Sequence, residues 1–451
     1  MSTALVILAA GMGTRMNSDL PKVLHKIAGA PLLVHAMKSG AAIDPEKLVI
    51  VAGHGADEVA SAARDWDDRA ETALQEEQLG TGHAVLQARE ALADFDGDVI
   101  VLYGDTPFIQ PETIEKIVAA RALNDVVVLG FDAADPGRYG RLVMAGDTLE
   151  RIVEFKDASD EERAITLCNS GIVAANAATL FRLLDKVGND NAAAEYYLTD
   201  IVALARAEGL SATAVTCDES ETLGVNSRAE LAAAEAAFQA RARAEAMENG
   251  VTLTAPDTVH FAHDTVIGRD AVVEPNVVFG PGVTVESGAL IRAFSHLEGC
   301  HVSRGATVGP YARLRPGAEL AEDVHVGNFV EIKNAVLDEG AKANHLSYIG
   351  DAHVGEKANI GAGTITCNYD GVMKHKTEIG ANAFIGSNTM LVAPVRVGNR
   401  AMTGSGSVIT QDIEDDALAI ARATQVNKPG LATKLREILQ AKKAKRDKGA
   451  G

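Results

Sequence analysis

Between residues 267 and 402 one aliphatic position recurs every six residues, and that period constrains the fold more than any other feature of the chain. Ile267, Val273, Phe279, Val285, Ile291 and Leu297 make the first run. After a five-residue step it resumes at Val302, Val308, Leu314, Leu320, Val326 and Ile332. The phase returns at Val354 and Ile360, and again at Ile379, Ile385, Leu391 and Val397. An amphipathic helix would repeat at about 3.6 residues and an exposed strand at about 2, so neither explains it. A six-residue period marks a parallel β-helix, one short strand and one turn per repeat. Three repeats, about 18 residues, make one triangular coil, with coils stacked at the ordinary strand spacing of roughly 4.8 Å. The aliphatic side chains point inward and pile up from coil to coil, so no repeat buries its face alone. A chain only 4% aromatic suits such a Val, Ile and Ala core.

At 451 residues the chain is too long for one ordinary domain. Ahead of the solenoid the order is strand, turn, helix, repeated. Strands are predicted at 4–9, 48–52, 98–103 and 126–131, with a helix around 32–39. This alternation implies a mainly parallel, Rossmann-like sheet with helices on both faces and ligands at the strands' carboxyl ends. Residues 228–248, rich in Ala, Glu and Arg, are predicted as one continuous exposed helix that Asn249-Gly250 ends. It reads as a rigid connector of two domains, giving boundaries of 1–227, 228–250 and 251–451. The basic stretch 428–448 reads as a solvated terminal helix before it reads as a patch for an acidic partner.

Acidic residues outnumber basic ones, 62 to 42, which argues against a nucleic-acid surface. No segment approaches about 20 uninterrupted apolar residues, so no membrane span is read. The opening residues lack a basic region before their apolar run and resemble a buried first strand, not a signal peptide. Cys168, Cys217, Cys300 and Cys367 lack paired spacing, so neither a disulfide framework nor a zinc knuckle is expected. A cytoplasmic chain fits these features.

The first chemistry lies in residues 8–16, LAAGMGTRM. Gly11 and Gly13 let backbone approach a ligand closely, and free N–H groups in such a turn suit phosphate oxygens. Arg15 and Lys22 add positive charge at the same mouth. Leu8-Ala9-Ala10-Gly11-x-Gly13-Thr14-Arg15-Met16 with Pro21-Lys22 resembles the signature of sugar-1-phosphate nucleotidyltransferases. Gln78-Leu79-Gly80-Thr81-Gly82-His83-Ala84 and Tyr103-Gly104-Asp105 match it too. Alone, Asp105 reads either as a helix cap or as a carboxylate that holds Mg²⁺ between phosphates. Tyr139-Gly140-Arg141, Ile152-Val153-Glu154, Asn169-Ser170-Gly171, the run 196–200 and Gly224-Val225-Asn226 extend the match in order.

The solenoid phase breaks at 336–345 and at the insertion 366–378, where loops leave the coil. Arg315, Lys333, His345, Tyr348, Asn359, Asn368 and Tyr369 cluster around these breaks. From the residues alone His345 is a satisfied structural histidine, a metal ligand beside His353, or a general base for an amine attacking a thioester. Arg315 and Lys333 suit a sugar phosphate, one as a fork and the other as a point charge.

Together the halves resemble the bifunctional bacterial N-acetylglucosamine-1-phosphate uridyltransferase and glucosamine-1-phosphate N-acetyltransferase family, over nearly the full length. Arg313-Leu314-Arg315-Pro316-Gly317-Ala318, residues 326–331, His345-Leu346-x-Tyr348, residues 359–364 and residues 367–371 carry the second half. The resemblance implies a nucleotidyltransferase domain over 1–227 and a left-handed β-helix acetyltransferase domain over 251–451. It implies that Leu8, Ala9, Ala10, Gly11, Arg15, Lys22, Gln75, Gly80, Thr81, Tyr103, Gly104 and Asp105 bind the nucleotide, with Gln75, Gly80 and Thr81 at the uracil. Gly140, Glu154, Asn169 and Thr199 would meet the amino sugar, and Asn226 would join Asp105 on Mg²⁺.

In the solenoid His345 would be the base, with Arg315, Lys333, Tyr348, Asn359 and Lys374 on the amino sugar phosphate. Ala362, Asn368, Tyr369, Ser387, Ser405 and Arg422 would contact acetyl-CoA. Implied substrates are UTP, N-acetylglucosamine 1-phosphate, glucosamine 1-phosphate and acetyl-CoA, and the implied assembly is a homotrimer with the acetyl site shared between neighbours. The tail after Gly430 matches nothing in that family. Two other readings compete: a nucleotidyltransferase whose β-helix only assembles or regulates, and a scaffold or metal-dependent hydratase of the trimeric β-helix type.

Overall fold

The computed structural model describes residues 2–448; Met1 and residues 449–451, at the two ends of the expected domains, lie outside the described residues. The chain divides into two compact units, Met1–Glu248 with His260–Thr265, and Asn249–Val259 with Val266–Gly451.

In the first unit, unbroken apolar runs become strands covered on both faces. All seven residues of Thr3–Ala9 (β1) are buried. β1 lies between Lys47–Ala52 (β2) and Asp98–Tyr103, parallel to both, and Glu71–Leu74 (β3) extends the parallel edge. Numbering on through Asp98–Tyr103 (β4), Val126–Asp132 (β5), Arg141–Ala145 (β6), Thr148–Val153 (β7), Leu167–Asn176 (β8) and Ala212–Cys217 (β9), the sheet order is β9-β5-β8-β4-β1-β2-β3. Along that order the expected parallel pairing holds for four of the six pairs, but β8 runs antiparallel to both β4 and β5. The chain reaches β8 through the β6–β7 hairpin instead of a helical crossover, so it returns in the opposite direction.

Helices cover the sheet. Leu32–Ala41 (α1) buries Leu32, Leu33, Ala36 and Met37, matching the helix expected there. Ala56–Trp66 (α2), Thr81–Gln87 (α3) and Pro111–Arg121 (α4) follow β2, β3 and β4.

Arg228–Glu248 (α5) is continuous, as expected, but it is not an exposed strut. Ala234 is buried, and Leu231 and Phe238 pack with it against Ile27, Leu32, Phe108 and Val225. Leu231, Ala234 and Phe238 stand three and four residues apart, the spacing of one helix face. Gln239 exchanges two hydrogen bonds with the Phe261 backbone, at 2.7 and 2.8 Å. The Ala28 N–H donates to Glu235 at 2.8 Å. These contacts tie α5 into the first unit.

The second unit is the parallel β-helix that the period predicts, of the left-handed kind that the family resemblance implies. One inward column is Val273, Ile291, Val308, Val326, Ala343, Ile360 and Ile385. A second is Ile267, Val285, Val302, Leu320, Leu337, Val354, Ile379 and Val397. The third runs from Phe279 through Leu297, Leu314, Ile332 and Ile349 to Leu391, with Thr366 taking an aliphatic place. Thr366 is 1% exposed, and its Oγ1 donates to the Gly350 carbonyl at 3.0 Å while accepting the Gly350 N–H at 2.8 Å.

The expected break at 336–345 is absent. Leu337 and Ala343 are both 0% exposed and keep their columns filled. A second five-residue step, Ile332 to Leu337, and a small side chain at 343 hide the repeat there. The break at 366–378 is real but begins later. Thr366 and Thr377 stay buried in the coil, while Tyr369, Val372 and Met373 protrude.

Among the described residues no helix is long and apolar enough to cross a membrane. The four cysteines are free.

Candidate active sites

The turn after β1 and the N-terminus of α3 enclose a cleft of about 340 Å³ at the carboxyl ends of the strands. Gly13 takes φ 60°, and a Cβ there would come within 2.6 Å of Lys22 Cβ, so glycine is needed. A Cβ on Gly11 would meet nothing within 4 Å, leaving the backbone open to a ligand. Leu8, Ala9, Ala10, Gly11, Lys22, Gln75, Gly80, Thr81, Tyr103 and Asp105 all line the cleft. Of the expected nucleotide residues, Arg15 is exposed outside it and Gly104 is buried beneath it, its N–H donating to the Leu8 carbonyl at 3.0 Å. Val23 and Glu195, which were not singled out from sequence, line it as well, as do Gln78 and Ala84, which were quoted only as motif members without a role. Gln78 was legible from its place in the Gln-Leu-Gly-Thr-Gly run; its amide donates to the Ala10 carbonyl at 2.8 Å.

Asp105 and Asn226 converge. The Lys22 ammonium lies between them, paired with the Asp105 carboxylate and 3.0 Å from Asn226 Oδ1. The Val225 N–H donates to the Asp105 carbonyl at 2.9 Å, which ties the two segments together. Two oxygen donors already sharing a cation fit a hard divalent ion completed by phosphate oxygens. No group of three or more acidic, His or Cys ligands occurs among the described residues.

Burial raises the Tyr103 hydroxyl well above its usual range, and the Asp105 and Glu154 carboxylates push the same way, so it stays neutral. A Cβ on Gly171 would strike the Tyr103 ring at 2.7 Å, so the 169–171 turn abuts the cleft. There the Asn169 N–H donates to the Gly140 carbonyl at 2.9 Å. Thr199 Oγ1 donates to Glu154 Oε1 at 3.3 Å. Burial raises the Glu154 carboxyl above its ordinary value, partly offset by the Thr199 bond. Gly140, Glu154, Asn169 and Thr199 thus form one cluster.

In the solenoid the decisive contact joins two coils. His345 Nδ1 lies 2.9 Å from Asn328 Oδ1, 17 residues earlier and in register with it. An amide oxygen only accepts, so Nδ1 carries the proton and Nε2 keeps its lone pair. Asn328 was read from sequence only as a member of the 326–331 run, with no role, although the coil repeat points from His345 straight to it.

Arg315 donates to Glu331 at 2.9 Å. Lys333 and Lys374 adjoin, and Lys374's hydrogen bond and like charge lower the Lys333 ammonium. Asp351 lies beside them. Burial acts upward on its carboxyl, but hydrogen bonds from Asn334 and Asn368 and the Lys374 and Lys333 charges outweigh it and hold it low. Asn368 also donates to the Tyr348 hydroxyl at 3.4 Å. Arg315, Lys333 and Lys374 thus form one positive cluster, with Glu331 against the arginine and Asp351 against the two lysines.

Ala362, Ser387 and Ser405 occupy one corner of three successive coils, each after a glycine. A Cβ on Gly361 or Gly386 would come within 2.6 Å of the Ser387 or Ser405 nitrogen, so the coils touch there. Asn359 is in register with Lys342 and Phe384. Tyr369 lies in the exposed insertion, its hydroxyl donating to the Gly371 carbonyl at 2.6 Å. Its backbone bridges that of Lys374 across the insertion. Arg422 stands in an exposed strandless segment.

Comparison with known proteins agrees with both halves. The model of the MobA-like NTP transferase domain matches residues 5–171, and the bacterial transferase hexapeptide model matches 264–299 and 376–411. The chain is 73% identical to the "Bifunctional protein GlmU" of Ruegeria sp. (strain TM1040) over 449 residues, covering 100% of both. The protein of that name from Roseobacter denitrificans is 70% identical over 450 residues, again 100% of both. The one from Jannaschia sp. is 66% identical over 445 residues, 99% of this chain and 98% of its own length. The chain belongs to the GlmU family. Like that family it is a uridylyltransferase and an acetyltransferase, with nucleotide, sugar phosphate and acyl-CoA substrates and a divalent metal requirement. GlmU membership leaves the two competing readings of the solenoid without support.

Proposed function

We propose that residues 1–227 transfer a uridylyl group from UTP to N-acetylglucosamine 1-phosphate, and that residues 251–451 supply that acceptor by acetylating glucosamine 1-phosphate. Helix 228–250 would join the two domains. What carries the reading is that each compact unit holds its own constellation: two oxygen donors sharing a cation in one, an oriented imidazole beside a cationic cluster in the other.

In the first site the open backbone at Gly11 and the Lys22 ammonium hold phosphate oxygens. Gln75, Gly80 and Thr81 meet the base, and Gly140, Glu154, Asn169 and Thr199 orient the amino sugar. Asp105 and Asn226 would hold Mg²⁺, which when bound neutralises triphosphate charge and aligns the acceptor oxygen for in-line attack. The sugar phosphate oxygen bonds to the α-phosphorus, the α–β bridge breaks, and pyrophosphate leaves.

In the second site Arg315, Lys333, Tyr348, Asn359 and Lys374 hold glucosamine 1-phosphate. Ala362, Asn368, Tyr369, Ser387, Ser405 and Arg422 line the acetyl-CoA path. The amine bonds to the thioester carbonyl carbon as the C–S bond breaks. His345 Nε2 takes the amine proton, and the coenzyme A thiolate leaves to be protonated. A homotrimer that shares this site, acting in the cytoplasm, completes the proposal.

The test is two assays on one purified sample. Thiol release from acetyl-CoA with glucosamine 1-phosphate, and pyrophosphate release from UTP with N-acetylglucosamine 1-phosphate, are both expected. Pyrophosphate release alone would refute the acetyltransferase half.

A further inference from the structure

Asp351 has no part in the chemistry above, yet it sits at the place where the insertion leaves the coil. Lys333 is in register with Gly350 and Ala335 with Ala352, so Asn334 and Asp351 share one corner of consecutive coils. Both take the left-handed backbone there, at φ 44° and 48°. In the next coil Ile365 pairs with Tyr348 and Thr377 with Ala352. The insertion between them therefore departs over the corner that Asp351 occupies. Its neck closes on itself. The His375 N–H donates to the Asn368 carbonyl at 2.8 Å, and the backbones of Tyr369 and Lys374 bridge. The Asp351 carboxylate, 7% exposed, fastens that neck to the coil below. A carboxylate only accepts, so Asn368 turns its amide nitrogen to Asp351 Oδ2, and Asn334 turns its own to Oδ1. The second Asn368 amide proton faces the Tyr348 hydroxyl oxygen at 3.4 Å. Both amide protons are thus spent. Asn368 Oδ1 has no protein partner among the described residues and is left as an acceptor.

We propose that Asp351 is a positioning residue of acetyl transfer, acting through Asn368. It pins the root of the insertion to the coil and fixes the Asn368 amide with its oxygen, not its nitrogen, toward the coenzyme. The proposal rests on the reading that Asn368 meets acetyl-CoA. Coenzyme A offers amide N–H donors along its pantetheine arm, which an amide oxygen takes and an amide nitrogen cannot. Without the carboxylate the Asn368 amide is held by the Tyr348 hydroxyl alone. A hydroxyl both donates and accepts, so it serves either end of an amide and cannot hold one orientation.

The test measures KM for acetyl-CoA and kcat for thiol release at saturating glucosamine 1-phosphate. The first variant is Asp351→Gly, because glycine takes φ 48° without the strain that alanine would meet. It should raise KM about tenfold or more, the order expected when a buried hydrogen bond to a charged group is lost, and change kcat less than about threefold. Asp351→Ser, too short to reach both amides, should do the same and serves if the glycine variant does not fold. Asp351→Asn should keep nearly the wild-type KM. Asparagine also tolerates the left-handed backbone, its amide oxygen still takes the buried Asn368, and the exposed Asn334 is free to turn. Asn368→Ala should raise KM at least as far as Asp351→Gly does. Combining the two should raise it no further, because one residue acts through the other. Effects that multiply would make Asp351 merely structural and overturn the proposal. So would an unchanged KM in Asp351→Gly, or a rise in Asp351→Asn as large as in Asp351→Gly. A wild-type KM in Asn368→Ala would instead overturn the underlying reading of Asn368, and the proposal with it.

Discussion

The smallest decisive unit is one proton on one ring. The Asn328 amide oxygen sorts the His345 tautomer and leaves the Nε2 lone pair for the proposed role of base. Asn328→Ala should lower kcat for acetyl transfer about tenfold to a hundredfold, with little change in KM for acetyl-CoA, because it misorients the base without touching the coenzyme. Unchanged steady-state kinetics would deny Asn328 that role. Glu154 gives a prediction of opposite character. Burial raises its carboxyl, so the folded protein binds that proton more tightly than the unfolded chain does. Its contribution to stability is full below the ordinary carboxylate range and is lost as pH rises through the raised value. Glu154→Gln should therefore melt at a higher temperature than the wild type near neutral pH without ligand. The gap should close on acidification below about pH 4, where both side chains are neutral. Thermal melts across pH would show it.

Elements differed in how much of them could be read beforehand. The strands at 4–9, 48–52, 98–103 and 126–131 and the inward columns were legible because burial on a periodic backbone leaves a periodic trace. The reversal of β8 was not, since strand direction depends on how the chain returns and not on side-chain pattern. The buried face of α5 was hidden because Leu231, Ala234 and Phe238 are sparse among Ala, Glu and Arg. Ala343 escaped notice because a methyl group fills its column as well as a valine would. Leu337, in contrast, carries a full load of packing. Leu337→Ala should cost about 2–5 kcal/mol in the solenoid and lower the denaturant midpoint of acetyl transfer. The midpoint for pyrophosphate release should not move; a joint shift would mean that the two units unfold together.

Across the whole molecule the cleft was more legible than the solenoid site. Its residues come in short runs whose members fold onto one turn or strand end. The meeting of Lys22 with Asn226, 204 residues apart, and the arrival of Glu195 at the cleft needed the fold to be seen. The solenoid site is assembled from adjacent coils: Asn328 and Glu331 stood in the 326–331 run without a role, and their partners, like Asp351, emerge only once the coil register is known. Two separate constellations predict separable losses. Asp105→Ala should abolish pyrophosphate release and spare thiol release, and His345→Ala should do the reverse. Loss of both activities from either substitution in a folded protein would contradict independent sites.

The stacking of coils also fixes how the chain responds to being pulled. In the second unit each short strand is joined only to the coil before and the coil after, by a few backbone hydrogen bonds. Tension applied at one end loads those bonds a coil at a time, as teeth of a zipper. β1, in contrast, is gripped along its length by β2 and β4, so all its bonds share a shearing load at once. One half of this protein should unravel under light force in even steps of one turn each, while the other holds until it gives way in a single rupture.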